Sequence, residues 1–135
     1  MNDNWNNNFA LNIPVIDQQH KKFFELFDKT MEAKDIDSPE QMEAIIRELE
    51  EYLKYHFQTE EKLMEESGFN NIENHKNQHR LFIKRINEMK LELDYMNPLL
   101  FNKISVFIKK WFIGHILQSD QEYKDAVTDY ISKNE

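Results

Sequence analysis

Several stretches of the chain repeat apolar residues every three or four positions, the spacing that one face of an α-helix requires. The first begins near Asp17, a favourable N-cap residue, and fades within residues 33–37. The second starts at Ser38-Pro39, where serine can cap a helix and proline suits its first position. It ends at Gly68, which suits the left-handed position that follows a helix.

Two more helical patterns follow. The third ends at Asn97-Pro98, because a residue that precedes proline disfavours helical geometry, and the fourth starts at Pro98. Short loops between four helices indicate antiparallel neighbours. We therefore predict an all-α fold, a single domain over residues 1–135 built as an antiparallel up-down-up-down four-helix bundle. Its parts are an N-terminal arm, the bundle, and a short C-terminal tail helix packed on the bundle: 1–14, 15–119 and 120–135.

Length and charge narrow the class of protein. A chain of 135 residues suits one domain with one core. The net charge of −8 argues against nucleic acid or an anionic membrane as a partner. The most apolar stretch, residues 104–117, contains two lysines and is too short to span a bilayer. With no signal peptide at the start, we expect a cytoplasmic monomer without membrane insertion, and the sequence names no protein partner.

The absence of cysteine restricts the available chemistry. Disulfides, iron–sulfur clusters, thiolate zinc sites and cysteine nucleophiles are all excluded. A metal bound by this chain must therefore be held by nitrogen and oxygen atoms.

The histidines lie in an unusual place. Each lies on the apolar stripe of its helix: His20, His56, His75, His79 and His115. A single buried histidine is more often a hydrogen-bonded core residue than a ligand, but this explanation does not suit the whole set. Glu60 lies one turn after His56 on the same helix face, and a buried carboxylate needs a compensating partner.

Helix geometry brings these side chains to one level. His56 and Glu60 precede Gly68 by twelve and eight residues, and His75 and His79 follow it by seven and eleven. At about 1.5 Å of rise per residue, both pairs lie roughly 10–18 Å from that turn. His115 and His79 are each eighteen residues from Asn97, and His20 starts the first helix at the same end. We therefore expect a metal ion to compensate the buried negative charge of Glu60.

Nitrogen-rich ligation with few carboxylates suits iron, zinc, copper or nickel better than calcium or magnesium. Five imidazoles exceed what one tetrahedral zinc needs, so two metals bridged by carboxylate are expected. Glu60 is one bridge. For the other, Glu122 shares the face of His115, whereas Asp120 points about 140° away on a straight helix. Spacing alone favours Glu122.

The motifs resemble those of the hemerythrin family in its single-domain bacterial form, and the resemblance covers almost the whole chain. Four ordered segments carry it: Asp17-Gln18-Gln19-His20-Lys21, His56-x-x-x-Glu60, His75-x-x-x-His79 and His115-x-x-x-x-Asp120. Trp5, Trp111 and Tyr123 also fit the family pattern.

The resemblance implies a non-haem di-iron centre with an oxo or hydroxo bridge. One iron would be bound by His75, His79 and His115, and the other by His20 and His56, with Glu60 and Asp120 bridging both. It thus selects Asp120 over Glu122. A regular helix cannot present both His115 and Asp120 to one site, so we predict that the fourth helix ends or carries a π-bulge between Ile116 and Asp120.

The two-histidine iron would keep an open position, which in this family binds O₂ reversibly. Helical spacing puts four side chains nearest the centre as a ligand pocket: Phe57, Ile108, Trp111 and Phe112. The resemblance gives the same role to the three aromatic ones, although each also suits the core. Tyr52 and Tyr55 flank His56, and a hydroxyl at the open position would weaken the case for reversible binding.

The expected function is reversible O₂ binding for storage, delivery or buffering, with no catalytic residue assigned. Five neutral imidazoles and two carboxylates should make highly oxidised iron less accessible than the carboxylate-rich sites of ferritin-like proteins do. One alternative is a di-iron enzyme that acts on peroxide or nitric oxide. Another is an O₂- or redox-sensing module in which ligand binding shifts the arm or tail.

Overall fold

A computed structural model describes residues 9–31, 38–91 and 98–134. Within them every regular element is helical, which confirms the predicted all-α bundle. In chain order the elements are α1 (Pro14–Met31), α2 (Pro39–Ser67), α3 (Ile72–Lys90), α4 (Pro98–Gly114), a π-helical segment (His115–Ser119) and α5 (Asp120–Lys133). Helix α2 packs against α1, α3 and α5, and α3 packs against α4.

Helix α1 starts earlier than predicted. It begins at Pro14, whose ring suits the first helical position. Asp17 is therefore not the N-cap: its carboxylate accepts the backbone N–H groups of Leu11 at 2.8 Å and of Asn12 at 3.1 Å. Asn12 adopts a positive φ of 61°. Asp17 thus ties the end of the arm to the first turn of α1.

The predicted ends of α2 are confirmed. The Ser38 hydroxyl accepts the backbone N–H of Gln41 at 3.2 Å, and Pro39 occupies the first turn. At the other end, Gly68 has a left-handed φ of 71° and the Phe69 N–H returns to the carbonyl of Met64. Asn97, the predicted end of the third helix, lies outside the described residues.

Two apolar clusters fill the bundle. The larger one contains the aromatic side chains of α1, α2, α3 and α4, and the smaller one joins the arm to α2 and α5. Leu11 and Ile13 of the arm are fully buried in the same cluster as Val127 of α5, while Trp5 lies outside the described residues. Along α1, His20 lies between Ile16 of the smaller cluster and Phe23 of the larger one. The polar site therefore separates the two clusters.

None of the helices in the described ranges is long and apolar enough to cross a membrane.

Candidate metal centre

The irregular turn after α4 brings Asp120 beside His115. The Asp120 backbone N–H donates to the carbonyl of His115, five residues earlier, as a π-helical turn requires. This confirms the predicted π-bulge. The Glu122 carboxylate, which spacing alone favoured, instead accepts a hydrogen bond from Asn71 at 3.1 Å outside the site. That choice was wrong because a straight helix overestimates the rotation between His115 and Asp120. A π-helical turn takes in one more residue than an α-helical turn, so Asp120 returns close to the face of His115.

All seven predicted ligand residues converge in the interior. Their exposed fractions do not exceed 5%: His20, His56, Glu60, His75, His79, His115 and Asp120. We call His75, His79 and His115 the three-histidine side, and His20 and His56 the two-histidine side. On the three-histidine side, the Nε2 atom of His115 lies 3.0 Å from that of His79 and 3.1 Å from that of His75. On the other side, the ring centroids of His20 and His56 are 4.6 Å apart.

The two carboxylates lie between these sides. Asp120 places Oδ1 at 3.1 Å from the Nε2 atoms of both His75 and His115, and Oδ2 at 3.3 Å from Nε2 of His20. Glu60 places Oε1 at 2.9 Å from Nε2 of His56 and at 3.7 Å from Nε2 of His79. Each carboxylate therefore faces ligand atoms of both sides.

Several buried polar atoms of the site lack a hydrogen-bond partner among the described residues. They are Nδ1 and Nε2 of His20, Nε2 of His56, Oε1 of Glu60, and both carboxylate oxygens of Asp120. Unpartnered buried carboxylates are costly, and a cation among them would remove that cost. Two sets of ligand atoms, each within 4.8 Å of one another, could hold one ion apiece: Glu60 with His75, His79 and His115, and Glu60 with His20, His56 and Asp120. The donor set thus fits two cations that share Glu60.

The protonation states of four of the seven side chains also suit a metal, while the pKa of His115 is raised because Asp120 and Glu60 outweigh burial. Burial lowers the pKa of His20 and His79, so both imidazoles are neutral at neutral pH. Burial acts to raise the pKa of Asp120, but His115 and the other imidazoles around it hold that pKa well below its usual value. Burial and Asp120 also act to raise the pKa of Glu60, but His56 and His79 together outweigh them and the pKa is lowered. Neutral imidazole and charged carboxylate are the forms that bind metal.

Three outer contacts were not predicted from the sequence. The Nδ1 atom of His56 lies 2.7 Å from Oε1 of Gln19, and Nδ1 of His79 lies 2.8 Å from Oε2 of Glu61. The Tyr123 hydroxyl donates to Oε2 of Glu60 at 2.6 Å. Gln19 and Glu61 are chain neighbours of ligand positions, but adjacency does not say where a side chain points.

The predicted pocket residues lie on both sides. Phe57 stacks on His79, with ring centroids 3.9 Å apart, and Trp111 stacks on His115 at 4.4 Å. Phe112 meets His20 edge-on at 5.3 Å and His56 at 5.9 Å. Ile108 is fully buried in the larger apolar cluster, one turn before Phe112.

The two tyrosines that flank His56 point away from the site. The Tyr52 hydroxyl donates to the backbone carbonyl of Gln19 at 2.9 Å, and Tyr55 is 56% exposed. Burial raises the pKa of Tyr52 to about 12, so this hydroxyl keeps its proton.

The family model of the hemerythrin HHE cation binding domain matches residues 11–127, which include all seven convergent side chains. The chain belongs to the hemerythrin family. The family membership agrees with the all-α bundle and with a buried cluster that could hold a metal.

Relatives at moderate identity share nearly the full length. A bacteriohemerythrin of Clostridium acetobutylicum is 33% identical over 126 residues, covering 90% of this chain and 98% of the relative. A bacteriohemerythrin of Stenotrophomonas maltophilia is 30% identical over 129 residues, covering 96% and 84%. A hemerythrin-like protein of Naegleria gruberi is 29% identical over 124 residues, covering 92% of each chain. The similarity to hemerythrins thus extends over the whole bundle.

Proposed function

We propose that this hemerythrin binds O₂ reversibly at a carboxylate-bridged di-iron centre with an oxo or hydroxo bridge. The observation that carries the proposal is the unequal number of imidazoles, three on one side and two on the other, around two carboxylates that face both. Two ions of the same metal require the same number of ligands, and the two-histidine side supplies one imidazole fewer. The ion on that side therefore keeps a position open to an outside ligand.

In this proposal His75, His79 and His115 hold one iron, and His20 and His56 hold the other. Glu60 and Asp120 bridge them, which is supported by the short distances from Asp120 Oδ1 and Oδ2 to imidazoles of opposite sides. The iron pair, when bound, supplies the electrons that hold O₂. The protein supplies neutral nitrogen ligands, two bridging charges and a dry surrounding.

Binding is favoured over turnover because the two-histidine side has few proton donors. Cleavage of O₂ is helped by groups that deliver protons, whereas Phe112 packs edge-on against both His20 and His56. The Tyr52 hydroxyl already donates its proton in a hydrogen bond to the Gln19 backbone carbonyl. The Tyr123 hydroxyl is committed to Glu60 Oε2, the oxygen that faces His75 at 4.0 Å on the opposite side.

The balance of charge supports the same conclusion. Ferritin-like di-iron sites use four carboxylates and two histidines, while this cluster offers five imidazoles and two carboxylates. Fewer negative ligands stabilise highly oxidised iron less. We propose a physiological role in storing, delivering or buffering O₂ in the cytoplasm.

The test is an absorption spectrum of the reduced, iron-loaded protein through repeated cycles of air and argon. We expect a ligand-to-iron charge-transfer band that grows in air and disappears under argon. His20→Ala should abolish the band, whereas Lys22→Ala, an exposed change on the same helix, should preserve it. Irreversible bleaching of the wild-type protein in a single cycle would contradict reversible binding.

A di-iron enzyme that acts on peroxide or nitric oxide is the alternative, and a separate measurement of substrate consumption tests it. Sustained consumption of peroxide or nitric oxide by the iron-loaded protein, lost in both His20→Ala and Glu60→Ala, would replace the carrier function with catalysis. We expect no turnover beyond the first equivalent of either substrate.

A further inference from the structure

His56 presents its two nitrogens to different surroundings. Its Nε2 atom faces Glu60 Oε1 at 2.9 Å inside the site, while Nδ1 faces Gln19 Oε1 at 2.7 Å. A neutral imidazole has one N–H and one lone pair. Whether His56 can act as a ligand through Nε2 therefore depends on which nitrogen carries the proton.

A relay of hydrogen bonds decides this. The Thr59 hydroxyl donates to the backbone carbonyl of Tyr55 at 3.3 Å, and a carbonyl can only accept. The Thr59 oxygen is then free to accept from the Gln19 side-chain amide, whose Nε2 lies 3.3 Å away. That orientation turns Gln19 Oε1 toward His56, so Nδ1 of His56 must be the N–H donor. The Nε2 lone pair is left pointing into the site.

The backbone of Gln19 is also held. The Tyr52 hydroxyl donates to the Gln19 carbonyl at 2.9 Å, which is a second link from α2 to the same residue of α1. Gln19 is only 8% exposed, an uncommon degree of burial for an amide side chain. Its burial is explained if both ends of the amide are satisfied.

We propose that Gln19 is a positioning residue that fixes the tautomer and ring orientation of His56 through the Tyr55–Thr59–Gln19 relay. The proposal rests on the di-metal centre proposed above. The two-histidine side of that centre then depends on Gln19. This residue contacts Nδ1 of His56 and not the Nε2 atom that faces the site.

The opposite side has a different partner. His79 Nδ1 bonds to the carboxylate of Glu61 at 2.8 Å, whereas His56 bonds to a neutral amide. A carboxylate acceptor makes an imidazole a more strongly donating ligand than an amide does. Gln19 thus orients His56 without adding negative charge to the side that has the open position.

The test uses Co²⁺ as the probe, since nitrogen and oxygen sites accept it and its binding needs no O₂. The wild-type protein should hold two equivalents, which a chelator removes under argon. Gln19→Met keeps the side-chain length but removes the acceptor, and should release one of the two equivalents about tenfold faster, the lower end of the range for a lost outer partner. Gln19→Glu, which retains an acceptor, should restore slow release, and Gln18→Met on the exposed side should have no effect.

A second variant covers the case in which Gln19→Met does not fold. Thr59→Val keeps the shape but removes the hydroxyl that orients the amide, and should also accelerate the release of one equivalent. Nitrogen NMR of the histidine rings should show an Nδ1–H tautomer for His56 in the wild-type protein and a mixture of tautomers in Thr59→Val.

The outcomes separate this proposal from the O₂-binding function. Release of both equivalents at the wild-type rate in Gln19→Met or, should that variant not fold, in Thr59→Val overturns the role of Gln19. Failure of the air and argon cycles, with one equivalent of Co²⁺ still released faster in Gln19→Met, overturns O₂ binding alone and supports the role of Gln19. Failure of the wild-type protein to hold two equivalents overturns both.

Discussion

The two sides of the centre differ in more than their number of imidazoles. On the three-histidine side, aromatic rings stack face to face on His79 and His115, and surface cavities reach the outer edges of both imidazoles. On the two-histidine side, His20 and His56 are fully buried and meet Phe112 edge-on. The three-histidine side is thus nearer to solvent, and the two-histidine side lies in the drier interior.

In the proposed function, this difference lets the bundle bind a small apolar ligand without turning it over. O₂ can enter a dry, apolar region, whereas water and protons are costly to move there. Glu61, which is partly exposed, contacts His79 and so places its negative charge on the side that needs no outside ligand in the proposed centre.

The largest expected effect comes from changing the helix that serves both sides. Deleting Lys110 from α4 should rotate His115 and Asp120 by about 100° relative to the preceding turns, since each helical residue turns by that angle. We expect loss of both metals. Deleting exposed Gln118 should convert the π-helical segment to a regular turn, which leaves Asp120 four residues after His115 on nearly the same face.

Metal analysis and thermal denaturation of both deletions measure the result. The Gln118 deletion should retain two metals per chain and most of its stability. Equal loss of metal in the two deletions would mean that the π-helical geometry itself, and not just the direction of Asp120, is required.

A shared carboxylate should matter more than any surface charge. Glu60→Gln removes a buried charge that faces both sides, and should lower the free energy of unfolding of the metal-loaded protein by about 3–5 kcal/mol. Glu48→Gln changes an exposed residue of the same helix and should stay within about 0.5 kcal/mol. Denaturant unfolding of both variants provides the comparison, and equal midpoints would refute the assignment of Glu60 as a bridge.

Removing an aromatic ring beside His20 and His56 should let water reach the two-histidine side, so that the two sides no longer differ in access to solvent. Phe112→Ala removes the ring that covers His20 and His56, and should cost about 3–5 kcal/mol of stability, as large-to-small core changes do. Phe27→Ala, in the same apolar cluster but packed beside Phe23 with ring centroids 6.1 Å apart, should cost a similar amount.

The two alanine variants should separate in a second measurement. Only Phe112→Ala should speed the oxidation of the iron-loaded protein in air, because water and protons could then reach the two-histidine side. Equal oxidation rates in both variants would show that dryness at Phe112 does not protect the centre.

The smallest expected effect is the pH dependence of the metal-free protein. Burial lowers the pKa of His20 and His79 below 6.5, so the unfolded chain takes up protons first as the pH falls through that value. Stability should therefore decrease below about pH 6.5. The raised pKa of His115, where Asp120 outweighs burial, acts in the opposite sense and reduces the slope.

Urea midpoints measured from about pH 7 to about pH 5.5 should fall for the metal-free wild type and fall less for His20→Leu. A midpoint that rises on acidification would mean that His115 dominates and that the two sides do not both hold neutral imidazoles.

Much of the architecture could be predicted from the sequence because it depends on periodicity and length. The apolar spacing and the distances of His56, His75, His79 and His115 from their turns suffice to predict one polar level in a bundle. Asp120 could not be chosen by spacing, because the π-helical segment fits an extra residue into the turn and so rotates Asp120 less from His115 than a straight helix would. Its selection required the resemblance to hemerythrins.

Details that depend on single hydrogen bonds could not be predicted from the sequence. Asp17 has the residue type of an N-cap, yet Pro14 starts the helix and the Asp17 carboxylate bonds backward to the arm. Gln19 and Glu61 lie beside ligand positions, but their roles follow from side-chain directions and from the Thr59 hydroxyl. Such directions are set by packing between helices, which a one-dimensional pattern does not contain.

If the two sides bind two irons but leave one open position, each pair of irons should bind one O₂. Iron and reversibly bound O₂ should be quantified on the same sample, by metal analysis and by the O₂ released on argon purging. We expect two irons per chain and one O₂ released for each pair of irons. Release of one O₂ per iron, or none from protein that holds both irons, would contradict it.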